Sequence, residues 1–130
     1  MLRPRALAQV LSQAIGREVH NSLLLNQEGS LLAFSGQGDK AKDARVMAAI
    51  AANLWTTCER GGAGATAAFQ EERLTSLLVD CEQGRLYICL VSDLLLCLCG
   101  TAKVNPGLLQ RKGERLAEYL REPLGKIAAS

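Results

Sequence analysis

One stretch has the spacing of a nucleotide loop. Gly36-Gln37-Gly38-Asp39-Lys40-Ala41 fits G-x-G-x-x-A and lies between a strand pattern and a helix pattern. In a dinucleotide site the glycines let the backbone approach a pyrophosphate held at a helix N-terminus inside a parallel strand–helix–strand unit. Here the preceding strand reads as the second arm of a hairpin, and the helix pattern starts only near Asp43. Asp39 would also repel a phosphate. The stretch is therefore read as a solvated linker. The Gly61–Gly64 cluster follows a helix and precedes a strand, the wrong order for a phosphate cradle.

The remaining reactive residues do not assemble into a catalytic set. His20 is the sole histidine, so a histidine general base or zinc ligand would have to be this residue. It opens a strand pattern with no acid paired to it. Cys97 and Cys99 are two apart in an apolar run and share one strand face, whereas zinc pairs usually come from turns. They read as buried thiols. Glu71-Glu72 reads as a solvated pair entering a strand. On the last helix Arg111, Lys112, Arg115 and Arg121 interleave with Glu114, Glu118 and Glu122, a mixed solvated face. The expectation is no enzyme, no cofactor and no metal.

The elements around these residues form an ordered series. Pro4 opens a helix whose apolar stripe is Leu7, Val10, Leu11 and Ala14, ended by Gly16. Two strands, 22–25 and 30–34, flank the hairpin tetrapeptide Asn26-Gln27-Glu28-Gly29. A polar linker leads to a helix from Asp43, the expected N-cap, to about Arg60. A flexible loop is expected at Gly61–Ala65. Strands 74–81 and 85–91 flank the turn Glu82-Gln83-Gly84, and Ser92-Asp93 turns into a last strand, 94–99. Pro106 opens a final helix with the stripe Leu109, Gly113, Leu116 and Leu120. Gly113 marks a close approach to the sheet, and Pro123 ends or kinks the helix. This order predicts an α+β fold, an antiparallel sheet with helices on both faces. The second and third strands would lie at opposite edges.

The middle helix carries more apolar surface than one small sheet covers. One stripe is Val46, Ala49, Ile50 and Leu54, with Asn53 beside it; another is Met47, Ala51, Leu54, Trp55 and Cys58. Ala48, Ala49, Ala51 and Ala52 remove bulk and permit another backbone to approach. A helix apolar on two sides is normally buried on two sides, and an apolar edge strand left bare invites pairing. A second protomer meets both needs. The candidate interface is Val46, Ala49, Ile50, Asn53 and Leu54 on the helix, with Leu74, Ser76, Leu78 and Asp80 on the strand.

Composition bounds the function. The 130 residues make one domain's worth of chain, expected to span 1–130, and 48% are hydrophobic, which excludes general disorder. The net charge of +2 and the 4% aromatic content argue against nucleic-acid binding. The five cysteines, odd in number and set mostly in apolar runs, suit a reducing compartment. No apolar run approaches the ~18 residues that span a bilayer. Leu2 is not a myristoylated glycine, and the Ala128-Ala129-Ser130 tail offers no prenylated cysteine. Any membrane location is expected to come through a partner.

In order, the chain carries Met1-Leu2-Arg3-Pro4, Leu11-Ser12-Gln13-Ala14, Leu23-Leu24-Leu25-Asn26, Glu28-Gly29-Ser30-Leu31-Leu32-Ala33 and Asp43-Ala44-Arg45-Val46. It continues with Ala48-Ala49-Ile50-Ala51, Trp55, Asp80-Cys81, Leu94-Leu95-Leu96-Cys97, Tyr119-Leu120 and Glu122-Pro123-Leu124. This ordered set resembles the roadblock family, and within it the adaptor subunits of the Ragulator type. The chain departs from them in its longer Gly61–Ala68 loop and its cysteine-rich last strands. The resemblance implies a roadblock/longin-like fold: a five-stranded antiparallel sheet with the central helix on one face and the N- and C-terminal helices on the other. It implies edge-to-edge pairing of third strands and packing of central helices between two subunits.

The resemblance also implies a function, non-catalytic scaffolding on the cytosolic face of late endosomes and lysosomes. The implied partners are a second roadblock subunit in a heterodimer, a lipidated anchor subunit, Rag GTPases for amino-acid signalling to the target-of-rapamycin kinase, and MAP-kinase components. The alternatives are a homodimeric roadblock protein serving a motor or a small GTPase, and, on the Gly36–Ala41 stretch alone, a dinucleotide-binding enzyme.

Overall fold

The structure is a computed structural model that describes residues 4–36, 41–63, 74–82 and 84–129. Its elements run α1 (Pro4–Leu11), a 3-10 turn (Ser12–Ala14), β1 (Val19–Asn26), β2 (Leu31–Gly36), α2 (Ala41–Ala63), β3 (Ser76–Cys81), β4 (Gly84–Val91), β5 (Leu94–Gly100) and α3 (Pro106–Ala129). The five strands form one antiparallel sheet in the order β2-β1-β5-β4-β3. As expected, β2 and β3 are the edges, and α2 carries the chain from one to the other.

The two faces bury different side chains. Leu24, Tyr87, Cys89, Val91, Leu96 and Leu98 pack with Leu7 and Leu11 of α1 and Leu109, Leu116 and Leu120 of α3. Leu23, Leu25, Leu86, Ile88, Leu95, Cys97 and Cys99 pack with Ala48, Ala51, Ala52 and Trp55 of α2. Central strands buried on both faces explain the unbroken apolar runs of β1, β4 and β5. The sheet thus has α2 on one face and both terminal helices on the other.

Local chemistry sets the turns. Asn26 Oδ1 accepts hydrogen bonds from the backbone N–H groups of Glu28 (3.0 Å) and Ser30 (2.9 Å), closing the β1–β2 hairpin. Gly29 takes φ +99 there, a conformation side chains rarely adopt, and packs on Ala49 and Ala52 of α2. Asn105 Oδ1 accepts from the N–H of Gly107 at 2.8 Å, capping α3 just ahead of Pro106.

Three helix boundaries differ from the sequence reading. The middle helix starts at Ala41, so Asp43 lies inside its first turn rather than at the N-cap. A carboxylate there still meets the positive end of the helix dipole. The same helix continues through Gly61 and Gly62 to Ala63, where a flexible loop was expected. Each glycine costs only about 1 kcal/mol against alanine, and propagation is far easier than nucleation. Gly64 and Ala65 of that expected loop, Gln37 to Lys40 of the linker, and Glu71-Glu72 lie outside the described residues. The last helix runs past Pro123 to Ala129, forgoing the hydrogen bond that proline cannot donate.

Candidate partner interface

Among the described residues no three His, Cys, Asp or Glu side chains come together in a metal-binding arrangement. The strand before the glycine stretch is an antiparallel edge strand, and the helix after it leads to the opposite edge. The parallel unit that a dinucleotide loop requires is therefore not built there.

Cys97 and Cys99 both face α2, whereas Cys89 lies on the other face of the sheet. A hydrogen bond with Cys99, together with burial, holds the Cys97 thiol well above its ordinary value. Burial pushes Cys89 up to about 12. Neutral, buried thiols of this kind are poor nucleophiles. Cys81 is exposed and Cys58 half-buried.

The apolar surface of α2 divides sharply. Ala48, Ala51, Ala52 and Trp55 follow helical spacing and face the sheet, Trp55 being only 1% exposed. Four residues with three small side chains bring the helix axis close to the strands. That places the larger Val46 and Ile50 on the outward side, 55% and 45% exposed. Ala49 and Asn53 are exposed with them, and Leu54 is half-buried against the core. The stripe expected to meet a partner is thus the stripe left uncovered. Of the four alanines expected to admit another backbone, Ala48, Ala51 and Ala52 instead admit the protein's own sheet, and only Ala49 stays exposed.

On β3, cross-strand register assigns the faces. Ser76 lies opposite Cys89, Leu78 opposite Tyr87 and Asp80 opposite Arg85. Directly opposed residues share a face, so Ser76, Leu78 and Asp80 are on the side of α1 and α3. Leu78 is 44% exposed there. Asp80 Oδ1 accepts a hydrogen bond from Arg85 Nε at 2.6 Å, and Arg85 also donates to the Val104 carbonyl. Leu74, Leu77 and Val79 pack on the α2 side.

The helix stripe and the Ser76, Leu78 and Asp80 side chains therefore lie on opposite faces of the sheet. The backbone edge of β3 is what joins them. Leu77 and Val79, which the sequence reading left out, are the β3 side chains on the α2 side. The alternation of polar Ser76 and Asp80 with Leu77 and Val79 was the available signal, masked by the run Leu77-Leu78-Val79.

The described residues thus leave an apolar stripe of α2 exposed and an edge strand, β3, paired on one side only. Residues 7–99 match the Roadblock/LC7 domain, and the chain belongs to that family. It is 31% identical to the Ragulator complex protein LAMTOR2 homolog of Caenorhabditis elegans, over 98% of this chain and 97% of that one. Among solved structures it is similar to a Roadblock/LC7 domain from Streptomyces avermitilis (TM-score 0.77, 18% identity, 90% and 96% of the two chains covered). It is also similar to the gliding protein MglB of Thermus thermophilus (TM-score 0.75, 20% identity, 94% and 91% covered). Likeness at these identities carries the fold alone. No described helix is long and apolar enough to cross a membrane.

Proposed function

We propose that this chain is a non-catalytic scaffold subunit that pairs with a second roadblock subunit through α2 and the β3 edge. The observation carrying this reading is the exposed Val46–Ala49–Ile50 stripe on the helix that leads to an open edge strand. Strand addition at β3 would satisfy its outward N–H and C=O groups and extend the sheet. Covering Val46 and Ile50 would contribute about 1–2 kcal/mol each.

The near-full-length likeness to a Ragulator subunit homolog supports a heterodimer in a Ragulator-type assembly. In that reading a lipidated anchor subunit holds the pair on the cytosolic face of late endosomes and lysosomes. The assembly recruits Rag GTPases for amino-acid signalling to the target-of-rapamycin kinase and supports MAP-kinase scaffolding.

Native mass spectrometry with and without candidate roadblock subunits tests the pairing. A one-to-one heterodimer that displaces any self-associated form is expected. A homodimer that persists unchanged beside every candidate would contradict the heterodimer. Imaging tests location: removal of the lipidated subunit should leave the chain diffuse, and retained lysosomal staining would contradict a borrowed location.

A further inference from the structure

Pairing through β3 leaves the other edge of the sheet, β2, which among the described residues pairs only with β1. A groove of about 330 Å³ runs along it. The strand residues 31–34 form its floor, Arg5 and Ala8 of α1 form one wall, and Arg45 of α2 forms the other. The two helices lie on opposite faces of the sheet, so the groove is a channel with the strand edge at its base and one arginine on each side.

The floor is irregular in an informative way. Leu25 lies opposite Leu31 and Leu24 opposite Ala33, so Leu32 is an extra residue with no partner on β1. Such a bulge re-aims a side chain. Leu32 is 40% exposed and lines the groove. Neither Arg5 nor Arg45 is ion-paired among the described residues.

We propose that the β2 edge is a second docking surface, which takes an extended acidic segment of a partner protein as an added strand. Successive side chains of a strand point to opposite faces. Two adjacent acidic residues would therefore present one carboxylate to Arg5 and the next to Arg45. A flanking apolar side chain would cover Leu32, and the backbone would pair with the free edge of β2. A second copy of this chain fits poorly, because pairing β2 with β2 brings like arginines together. Two cations on a chain of net charge +2 are also a small footprint for nucleic acid.

The test uses the full-length protein and a capped peptide of valine and threonine with two adjacent glutamates at its centre. A control peptide carries two lysines instead. Binding is read by fluorescence anisotropy and by backbone amide shifts. The glutamate peptide should bind saturably, at least about tenfold more tightly than the lysine peptide, and more weakly as salt rises. The shifted amides should lie in 31–36. The double variant Arg5→Glu, Arg45→Glu changes only exposed side chains; it should lose the glutamate peptide and gain the lysine peptide. Equal binding of both peptides, shifts confined to 76–81, or no saturable binding below about 1 mM would overturn the proposal.

Discussion

The ring of Tyr87 lies against Gly113, so that a Cβ on Gly113 would overlap the ring carbons Cδ2 and Cε2. Both residues are buried. This contact is what lets α3 settle on β4, and it is why a glycine sits on the apolar stripe of that helix. Two effects oppose each other in Gly113→Ala. Alanine favours the helix by about 1 kcal/mol, while overpacking costs about 1–3 kcal/mol.

The obstacle is a buried ring rather than the end of a flexible side chain, so the clash wins. Gly113→Ala should lower thermal stability by a few degrees, about 3–8 °C. In a Tyr87→Ala background the same substitution should lose its penalty, a coupling that a double-mutant cycle reads directly. A rise in Tm on the single substitution would contradict the contact.

Alkaline pH should weaken the fold. Burial raises the Tyr87 hydroxyl from 10.0 to about 12 and the Cys89 thiol from 9.0 to about 12. Between those values the folded chain keeps protons that the unfolded chain releases. Stability is therefore complete below about pH 9 and falls as pH rises toward about 12. Urea midpoints taken from about pH 8 to about pH 11 should decline, and Tyr87→Phe should flatten the decline. A flat profile for the parent chain would contradict it.

Thiol labelling should follow burial. Alkylation of the native protein without reductant should mark Cys81 first and Cys58 more slowly, leaving Cys89, Cys97 and Cys99 unmodified. All five should react once the chain is unfolded. Mass spectrometry of the digested protein reads both states, and fast native labelling of Cys97 would contradict its burial.

Nucleotide should not bind at the glycine stretch, because its strand is an antiparallel edge and among the described residues no parallel neighbour completes the unit. Calorimetric titration with NAD and ATP should show no saturable heat. Micromolar binding abolished by Gly38→Val would reverse this.

The order of elements, both edge strands and the Gly113 contact were legible because they rest on strong local signals: helix periodicity, the Asn26–Gly29 turn and proline at helix starts. The orientation of α2 was only partly legible. The two stripes separate Val46, Ala49 and Ile50 from Ala51 and Trp55, but they do not say which alanines meet the sheet: Ala48, Ala51 and Ala52 do, since small side chains allow the closest approach around Trp55. The end of α2 was misplaced because two glycines weaken a helix without stopping one already formed. The face of Leu78 was not legible in Leu77-Leu78-Val79, where only pairing with Tyr87 and Leu86 breaks the ambiguity. The arginines of the β2 groove come from different helices, and no spacing in the chain links position 5 to position 45.

The proposed pairing surface is centred on Ala49. It is exposed between Val46 and Ile50, so Ala49→Arg should leave the isolated chain folded, with an unchanged circular dichroism spectrum. In a complex packed on that stripe the arginine would bury an unpaired charge, at a cost of about 3–5 kcal/mol. Titration calorimetry of the variant against a candidate roadblock partner, a second subunit or a second copy, measures this directly. The expected result is a folded protein whose affinity falls about a hundredfold or more; a folded protein that binds with the parent affinity would contradict the interface.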